Sequence, residues 1–241
     1  MTGAQDWLVG TIAETRRVTP HGSVLGIDLP GWPGNLPGQH VDVRLTAEDG
    51  YQATRSYSLA SSGPGSRVEL AVDEVVDGEV SPYLVQEARP GDQLEIRGPI
   101  GRYFVWTPDV TDPIQLVAGG SGIVPLLAIA RAHAQSGSTA PMRLLYSVRS
   151  RGNALYADEV DADGTSSFRT DWVYTRTAPP GASRPVGRID AATVAASTIP
   201  AAERPLVFVC GPTRFVETAA DLLLAAGHAP DRVRTERFGG A

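Results

Sequence analysis

The hydrophobic and polar positions of the 241-residue chain follow one pattern in the first half and another in the second. Up to about Gly98, short stretches of alternating apolar and polar residues are separated by turns rich in glycine and proline. This pattern predicts a six-stranded antiparallel β-barrel. The predicted strands are WLVGTIAETRRV, SVLGIDL, QHVDVRLT, RSYSLAS, RVELAVDEV and QLEIRG. The stretch SPYLVQEA, after Gly78, is the one helix predicted in this half.

From Asp112 onward, continuous apolar runs alternate with helical segments. Buried parallel strands give unbroken apolar runs and need crossover helices, so this half is predicted to be an α/β domain with a five-stranded parallel sheet. The predicted strands are IQLVA, MRLLYSV, DWVYT, LVFVC and RVRTERF. The pattern changes near residues 107–113, which predicts one domain over 1–108 and a second over 109–241.

Composition and charge exclude several classes of protein. With 42% hydrophobic and 20% charged residues the chain can bury a core. It has no apolar run long enough to span a bilayer and no signal-peptide pattern, so we expect a cytoplasmic protein without membrane insertion. The net charge of −6 argues against nucleic acid as a partner. The single cysteine, Cys210, excludes an internal disulfide, a four-thiolate iron–sulfur cluster and a cysteine-based zinc site, and no bound metal is expected.

The turn in LVAGGSGIVPLLAIAR follows a predicted strand and opens a predicted helix. Such a turn offers backbone N–H groups and the positive end of a helix to a pyrophosphate. It is not an ordinary G-x-G-x-x-G fingerprint, because Pro125 takes the last position. Nor is it the G-x-S-x-G elbow of a serine hydrolase around Ser121, because Ile123 replaces the final glycine. The candidate dinucleotide-binding residues here are Gly119, Gly120, Gly122 and Ile123.

A second informative turn is LVFVCGPTRF. Cys210 ends an apolar strand, Gly211 permits a tight turn, and Pro212 suits the first position of a helix. The carboxyl ends of parallel strands face the ligand crevice of an open α/β sheet. Two interpretations of Cys210 stay open: a small buried hydrophobic side chain, or a thiol that packs against the reactive carbon of a bound ring.

Six short motifs, taken together, resemble those of the ferredoxin–NADP reductase superfamily, and their order and spacing match over essentially the whole chain. The motifs are RSYS, GEVS, GPIGRYF, GGSGIVP, CGP and ERF. The likeness is greatest to flavin reductase components of bacterial oxygenase systems. It implies an enzyme that passes a hydride from NADPH or NADH to bound FAD, and then single electrons to a separate ferredoxin or oxygenase component.

The resemblance implies that the first domain holds FAD, rather than FMN, on the RSYS strand. Arg55 would pair with the pyrophosphate, Tyr57 would stack on the isoalloxazine, and Ser58 would hydrogen-bond near the flavin N5. These residue types suit those tasks, because a guanidinium fits a phosphate and a phenol ring offers a flat apolar face. The resemblance implies a second pyrophosphate contact at Gly78, Val80 and Ser81. Ser81 would be a helix N-cap there, and an ordinary N-cap role without a bound anion is equally compatible.

For the dinucleotide, the resemblance implies that the turn from Gly119 to Gly122 takes the pyrophosphate. Three arginines, with Ser147 nearby, would bind the 2′-phosphate of NADP. Because NADH lacks this phosphate, the arginines favour NADPH. The implied arginines are Arg149, Arg176 and Arg188, with Arg151 as an alternative to the first.

The resemblance also implies that the nicotinamide is flanked by Cys210 and Glu236, with Gly211 and Pro212 beside the cysteine. The candidate catalytic residues are therefore Ser58, Cys210 and Glu236. Phe238 would cover the flavin until the nicotinamide displaces it. Here the chain departs from the plant-type pattern, which ends on an aromatic residue, by continuing through residues 239–241.

Three other functions stay open. The protein could be a free-flavin reductase that binds flavin weakly as a substrate, or an electron-transfer subunit of a larger redox complex. It could also be a non-catalytic binding module, although the intact set of Arg55, Tyr57, Ser58 and Cys210 argues against that.

Overall fold

A computed structural model of the chain describes residues 6–161 and 168–238. The chain forms two compact units and passes from the first to the second between Val105 and Trp106. None of the helices within the described residues is both long and apolar enough to cross a membrane.

The first unit is a six-stranded antiparallel sheet, as the alternating pattern predicts. Its strands are β1 Leu8–Thr19, β2 Gly22–Asp28, β3 His40–Thr46, β4 Gln52–Ser58, β5 Arg67–Asp73 and β6 Gln93–Ile100. They are hydrogen-bonded in the order β4-β3-β6-β1-β2-β5. The two edge strands approach each other where Leu59 bridges Leu70 and the Ala60 N–H donates to the Glu69 carbonyl at 2.9 Å. The ladder therefore closes on itself as a barrel, and the predicted architecture is confirmed.

Apolar side chains from several strands fill the barrel. Leu25, Val43, Leu70 and Ile96 belong to one buried cluster. The predicted helix SPYLVQEA is present as a wide helical turn over Tyr83–Glu87, which packs Leu84 into the same cluster.

The second unit is a five-stranded parallel sheet with helical connections, again as predicted. Its strands are β7 Ile114–Gly119, β8 Met142–Val148, β9 Phe168–Tyr174, β10 Leu206–Pro212 and β11 Val233–Phe238. The α-helices are α1 Ile123–Ser136, α2 Ala157–Val160, α3 Ala191–Ser197 and α4 Thr213–Ala225.

The strand order of this sheet, β11-β10-β7-β8-β9, identifies its ligand-binding edge. The chain builds outward from β7 in one direction through β8 and β9, and then returns to the other side of β7 with β10 and β11. In open α/β sheets the crevice lies at the carboxyl ends of the strands where this reversal occurs. Here that position is the pair of turns that follow β7 and β10, which are the two glycine turns singled out in the sequence.

Candidate functional site

The predicted flavin strand, β4, presents Arg55 and Tyr57 on one face. Residues two apart in a strand share a face and lie about 7 Å apart. Tyr57 is half-buried and packs against the barrel core. Burial raises the pKa of its phenol above the usual range, so the ring stays neutral. Ser58 follows as the last residue of β4, also half-buried, opposite His40 of β3.

Arg55 is held by protein acceptors in this structure. Its Nη1 donates to the Thr54 carbonyl at 2.8 Å, and its Nη2 donates to the carboxylate of Glu79. The other oxygen of Glu79 accepts a hydrogen bond from the Tyr51 hydroxyl. The hydrogen bond from Tyr51, together with the Arg55 charge, lowers the pKa of the Glu79 carboxyl. Glu79 is therefore an anion at neutral pH, positioned where the resemblance expects the FAD pyrophosphate.

The segment that includes Gly78, Val80 and Ser81 forms a tight loop beside β4. The Gly78 N–H donates to the Val75 carbonyl at 2.9 Å, and Val80 is fully buried in the barrel core. Ser81 does not cap the helical turn, in contrast to the expectation. Its hydroxyl instead accepts a hydrogen bond from the Val75 N–H at 3.0 Å, because the loop folds back on itself.

In the second unit, Cys210 and Glu236 are brought together. They are register partners on the neighbouring parallel strands β10 and β11, so their side chains share a face. Cys210 is 1% exposed. Burial, and then the nearby Glu236 charge, raise the pKa of its thiol well above the usual value. The thiol is therefore neutral at physiological pH and is not a nucleophile, which needs the thiolate.

Most of the other predicted residues of this unit lie at or just after the last positions of their strands, at the carboxyl edge of the sheet. Gly119 pairs with Ser147, and Pro212 pairs with Phe238. Ser147 is buried and Phe238 is half-buried.

The glycine turn brings the start of α1 against the end of β10. A Cβ on Gly122 would lie 2.1 Å from the Cys210 carbonyl oxygen, so only glycine fits there. Gly120 has φ +54° and no atom within 4 Å of a Cβ position, which leaves open space above the turn. The helix then begins at buried Ile123 with no side-chain cap on its first N–H groups. This end of α1 has the geometry of an anion site.

Three exposed arginines gather where β8 and β9 end. The Arg176 and Thr177 N–H groups both donate to the Arg149 carbonyl at 3.0 Å, which joins the two strand ends. The Gly187 N–H donates to the Tyr174 carbonyl at 2.9 Å and so brings the neighbouring Arg188 to the same edge. In residues 6–161 and 168–238, no carboxylate forms an ion pair with Arg149, Arg176 or Arg188.

Arg151, the alternative to Arg149, is already neutralised. It pairs with Asp158 at 3.1 Å and with Asp161, and its guanidinium lies 5.5 Å from the Trp172 ring centre. Of these two alternatives, Arg149 is therefore the one available for an anion.

Sequence reasoning missed two features, one in each unit. The rings of Trp172 and Tyr174 are parallel, and their centres lie 5.7 Å apart. With the loop Pro179–Arg184 they line a cleft of about 680 Å³. The i, i+2 spacing of the aromatic residues in DWVYT was the available signal. The Glu79 carboxylate was visible inside the GEVS motif, but its contact with Arg55 was not. Among the described residues there is no cluster of three or more side chains suited to a metal ion.

Two family models match the chain, one in each unit. An oxidoreductase FAD-binding domain matches residues 11–105, and an oxidoreductase NAD-binding domain matches residues 116–221. Ferredoxin–NADP reductase B from Sorangium cellulosum is 32% identical over 211 residues, which cover 83% of this chain and 84% of that protein.

Other similar proteins are longer or more distant. The toluate 1,2-dioxygenase electron transfer component of Pseudomonas putida is 25% identical over 84% of this chain, which spans only 58% of that protein. The FAD/NAD-binding domain of nitric oxide dioxygenase from Vibrio cholerae O1 biovar El Tor has the same fold. The TM-score is 0.85 at 23% identity, over 98% of this chain and 100% of that domain.

The chain belongs to the ferredoxin–NADP reductase family of NAD(P)H-dependent flavin oxidoreductases. The resemblance drawn from the six motifs is confirmed. The expected pair of cofactors, FAD and a nicotinamide dinucleotide, is confirmed at the level of the two matched domains.

Proposed function

We propose that this protein oxidises NADPH, with NADH as a poorer substrate, and delivers single electrons through FAD to a separate iron–sulfur or oxygenase component. FAD would be held by residues 1–108 and the dinucleotide by residues 109–241. When bound, FAD accepts a hydride and releases electrons one at a time. The protein supplies binding, orientation and electrostatics. The observation that carries the preference for NADPH is the group of three arginines at the edge of the parallel sheet, none of which pairs with a carboxylate among the residues that the structure describes.

On the flavin side, β4 supplies three groups of suitable chemistry. Arg55 offers a fork of donors to the pyrophosphate, and the neutral Tyr57 ring offers a flat surface to the isoalloxazine. The Ser58 hydroxyl can donate to or accept from a ring nitrogen, so it suits either protonation state of N5. Gly78 and Ser81 shape the loop beside this strand.

On the dinucleotide side, the turn from Gly119 to Gly122 and the start of α1 would receive the pyrophosphate. Cys210, Gly211, Pro212 and Glu236 would line the nicotinamide pocket from β10 and β11. The neutral thiol contributes a small surface for packing rather than a covalent step. Phe238 is proposed to cover the flavin in the absence of nicotinamide.

The adenosine end would bind where β8 and β9 finish. Arg149, Arg176 and Arg188, with Ser147, offer charge and hydrogen bonds to a 2′-phosphate. The stacked pair Trp172 and Tyr174 offers aromatic surface for an adenine ring. The cleft beside them has a volume of about 680 Å³, within the range of small-molecule sites.

The proposed electron acceptor is a separate iron–sulfur protein or oxygenase component. Support comes from the toluate relative, which is named as an electron transfer component of a dioxygenase. The present sequence contains one cysteine and so does not itself supply the four thiolates of a cluster.

A second candidate, a free-flavin reductase, is favoured by one observation. Arg55 is already occupied by Glu79, and an FAD that must displace a carboxylate binds less tightly. Gel filtration of the FAD-loaded protein separates the two candidates: flavin that elutes with the protein supports a bound cofactor, and flavin that is lost during the run supports a substrate.

The flavin assignment is tested by Arg55→Gln, with Arg67→Gln as its control. The two arginines are equally exposed, at 52% and 53%, and both pair with carboxylates on the barrel. We expect Arg55→Gln to weaken FAD binding by about tenfold or more, the scale of one charge-assisted contact, and Arg67→Gln to leave it unchanged. Flavin fluorescence on titration measures both. Equal FAD affinity in the two variants would contradict the assignment.

A further inference from the structure

Glu79 is an acidic residue in a position that the proposed function does not explain. Its carboxylate contacts the guanidinium of Arg55, the residue proposed to hold the FAD pyrophosphate. A pyrophosphate carries negative charge and would occupy the same face of that guanidinium. The protein thus contains an anion that resembles, in charge and in place, the group that FAD would bring.

The position of Glu79 is fixed by its neighbours. The preceding Gly78 is tied into the turn by its hydrogen bond to Val75, and a Cβ there would lie 2.9 Å from the Val75 carbonyl oxygen. The following Val80 is anchored in the barrel core. These two anchors hold the Glu79 backbone beside β4.

The Glu79 side chain has two partners, one for each oxygen. One carboxylate oxygen accepts from Arg55 and the other from the Tyr51 hydroxyl. The side chain is nevertheless 41% exposed. It can therefore leave Arg55 by rotating into solvent when another anion arrives, without a rearrangement of the barrel.

We propose that Glu79 competes with the FAD pyrophosphate for the Arg55 guanidinium and thereby sets how tightly the flavin is held. This inference rests on the proposed FAD-binding role of Arg55. Glu79 is a residue that determines affinity, not a catalytic one. It lowers the affinity for FAD, because the pyrophosphate must replace one anion on Arg55 and then lie near the displaced carboxylate.

The test is the dissociation constant of FAD for Glu79→Gln, measured by flavin fluorescence on the full chain freed of flavin. We expect FAD to bind about twofold to fivefold more tightly than to the unaltered protein, the scale of one partly exposed charge pair. The control is Glu74→Gln, in the same loop. Glu74 accepts from Gln86 at 2.6 Å and does not contact Arg55. Equal tightening by both variants would attribute the effect to net charge and overturn the proposal.

Riboflavin distinguishes the pyrophosphate from the rest of the flavin. It lacks the phosphates, so its affinity should be the same for Glu79→Gln and the unaltered protein. If riboflavin binding tightens as much as FAD binding, Glu79 acts on the ring pocket or on folding, and competition for Arg55 is wrong.

The double variant Arg55→Gln/Glu79→Gln separates failure of this inference from failure of the proposed function. Competition predicts that the gain from Glu79→Gln shrinks markedly once Arg55 is gone, and an undiminished gain contradicts it. If Arg55→Gln alone weakens FAD binding but Glu79→Gln does not tighten it, only the competition is wrong. If Arg55→Gln leaves FAD binding unchanged, the flavin role of Arg55 fails, and the inference fails with it.

Discussion

We propose that three arginines at the carboxyl edge of the parallel sheet determine the cofactor preference. Arg149 and Arg176 are joined through backbone hydrogen bonds, and Arg188 is brought close by the bond between Gly187 and Tyr174. An exposed cation that pairs with no carboxylate does not have to break an ion pair when a dianion binds. The 2′-phosphate of NADPH is such a dianion, and NADH lacks it.

Replacing Arg149 and Arg176 together by glutamine should therefore remove the discrimination. We expect kcat/KM for NADPH to fall by about a hundredfold, at roughly tenfold for each charge-assisted contact, while the value for NADH changes little. Steady-state reduction of a one-electron dye measures both.

The control for that change is Arg151→Gln. Arg151 lies in the same region but is neutralised by Asp158 and Asp161. It should leave the ratio of NADPH to NADH activity unchanged. If Arg151→Gln changes this ratio as much as the double variant does, the assignment of the three arginines is wrong.

Cys210 gives a prediction for stability against pH. Burial and the Glu236 charge raise the pKa of its thiol in the folded protein. The unfolded chain therefore loses this proton first, and folding stability falls as the pH rises above the ordinary thiol pKa of about 8.5. Between about pH 9 and 10 this group should contribute a slope of up to about 1.4 kcal/mol per pH unit to the free energy of unfolding.

The Cys210→Ala variant should lose that slope. Urea unfolding at several pH values measures it, and the comparison uses the slope because the cavity left by the variant lowers stability at every pH. An identical slope in both proteins would mean that the thiol titrates normally in the folded state.

At the scale of elements, the contact between the start of α1 and the end of β10 depends on one glycine. A Cβ on Gly122 would lie 2.1 Å from the Cys210 carbonyl oxygen, closer than real atoms approach. Gly122→Ala must therefore move the first turn of α1 away from β10, and with it the N–H groups proposed to bind pyrophosphate.

We expect Gly122→Ala to destabilise the fold by about 1–3 kcal/mol, as overpacking does, and to weaken NADPH binding. Thermal unfolding and a binding titration measure the two effects. Gly187→Ala is the control, because no atom lies within 4 Å of a Cβ there. Normal stability and NADPH affinity in Gly122→Ala would contradict the close approach.

The sequence predicted the elements well where periodicity determines them. All eleven strands overlap predicted segments, although β4 and β9 begin three residues before them, because alternating and continuous apolar patterns report directly which faces are buried. The helices were predicted less well. The segment LYADEV, which follows the strand MRLLYSV and is one of the helical segments predicted between strands, forms an α-helix only from Ala157, because Tyr156 takes a left-handed conformation with φ +56°. SPYLVQEA forms a wide turn instead of a regular helix.

The candidate site was predictable where a motif requires a residue type. Glycine at position 122 follows from strand and turn geometry, and the placement of Cys210 beside Glu236 follows from the family resemblance. The contact between Glu79 and Arg55 does not. It depends on how the loop through Val75 and Ser81 folds back, and that arrangement arises from tertiary contacts that no local pattern encodes.

At the scale of the whole molecule, the chain joins an FAD-binding domain to an NAD-binding domain, and we propose one half-reaction for each. We propose that electrons enter from NADPH and are held on FAD. This reaction needs both units, so the redox behaviour of the intact protein tests it more directly than any single variant does.

The most direct measurement is the visible absorption spectrum of the purified protein with FAD present, followed without oxygen as NADPH or NADH is added. We expect flavin to elute with the protein and its visible absorbance to bleach faster with NADPH than with NADH. Faster bleaching by NADH would contradict the role of the three arginines. The absence of bound flavin and of any bleaching, even with added FAD, would contradict the account as a whole.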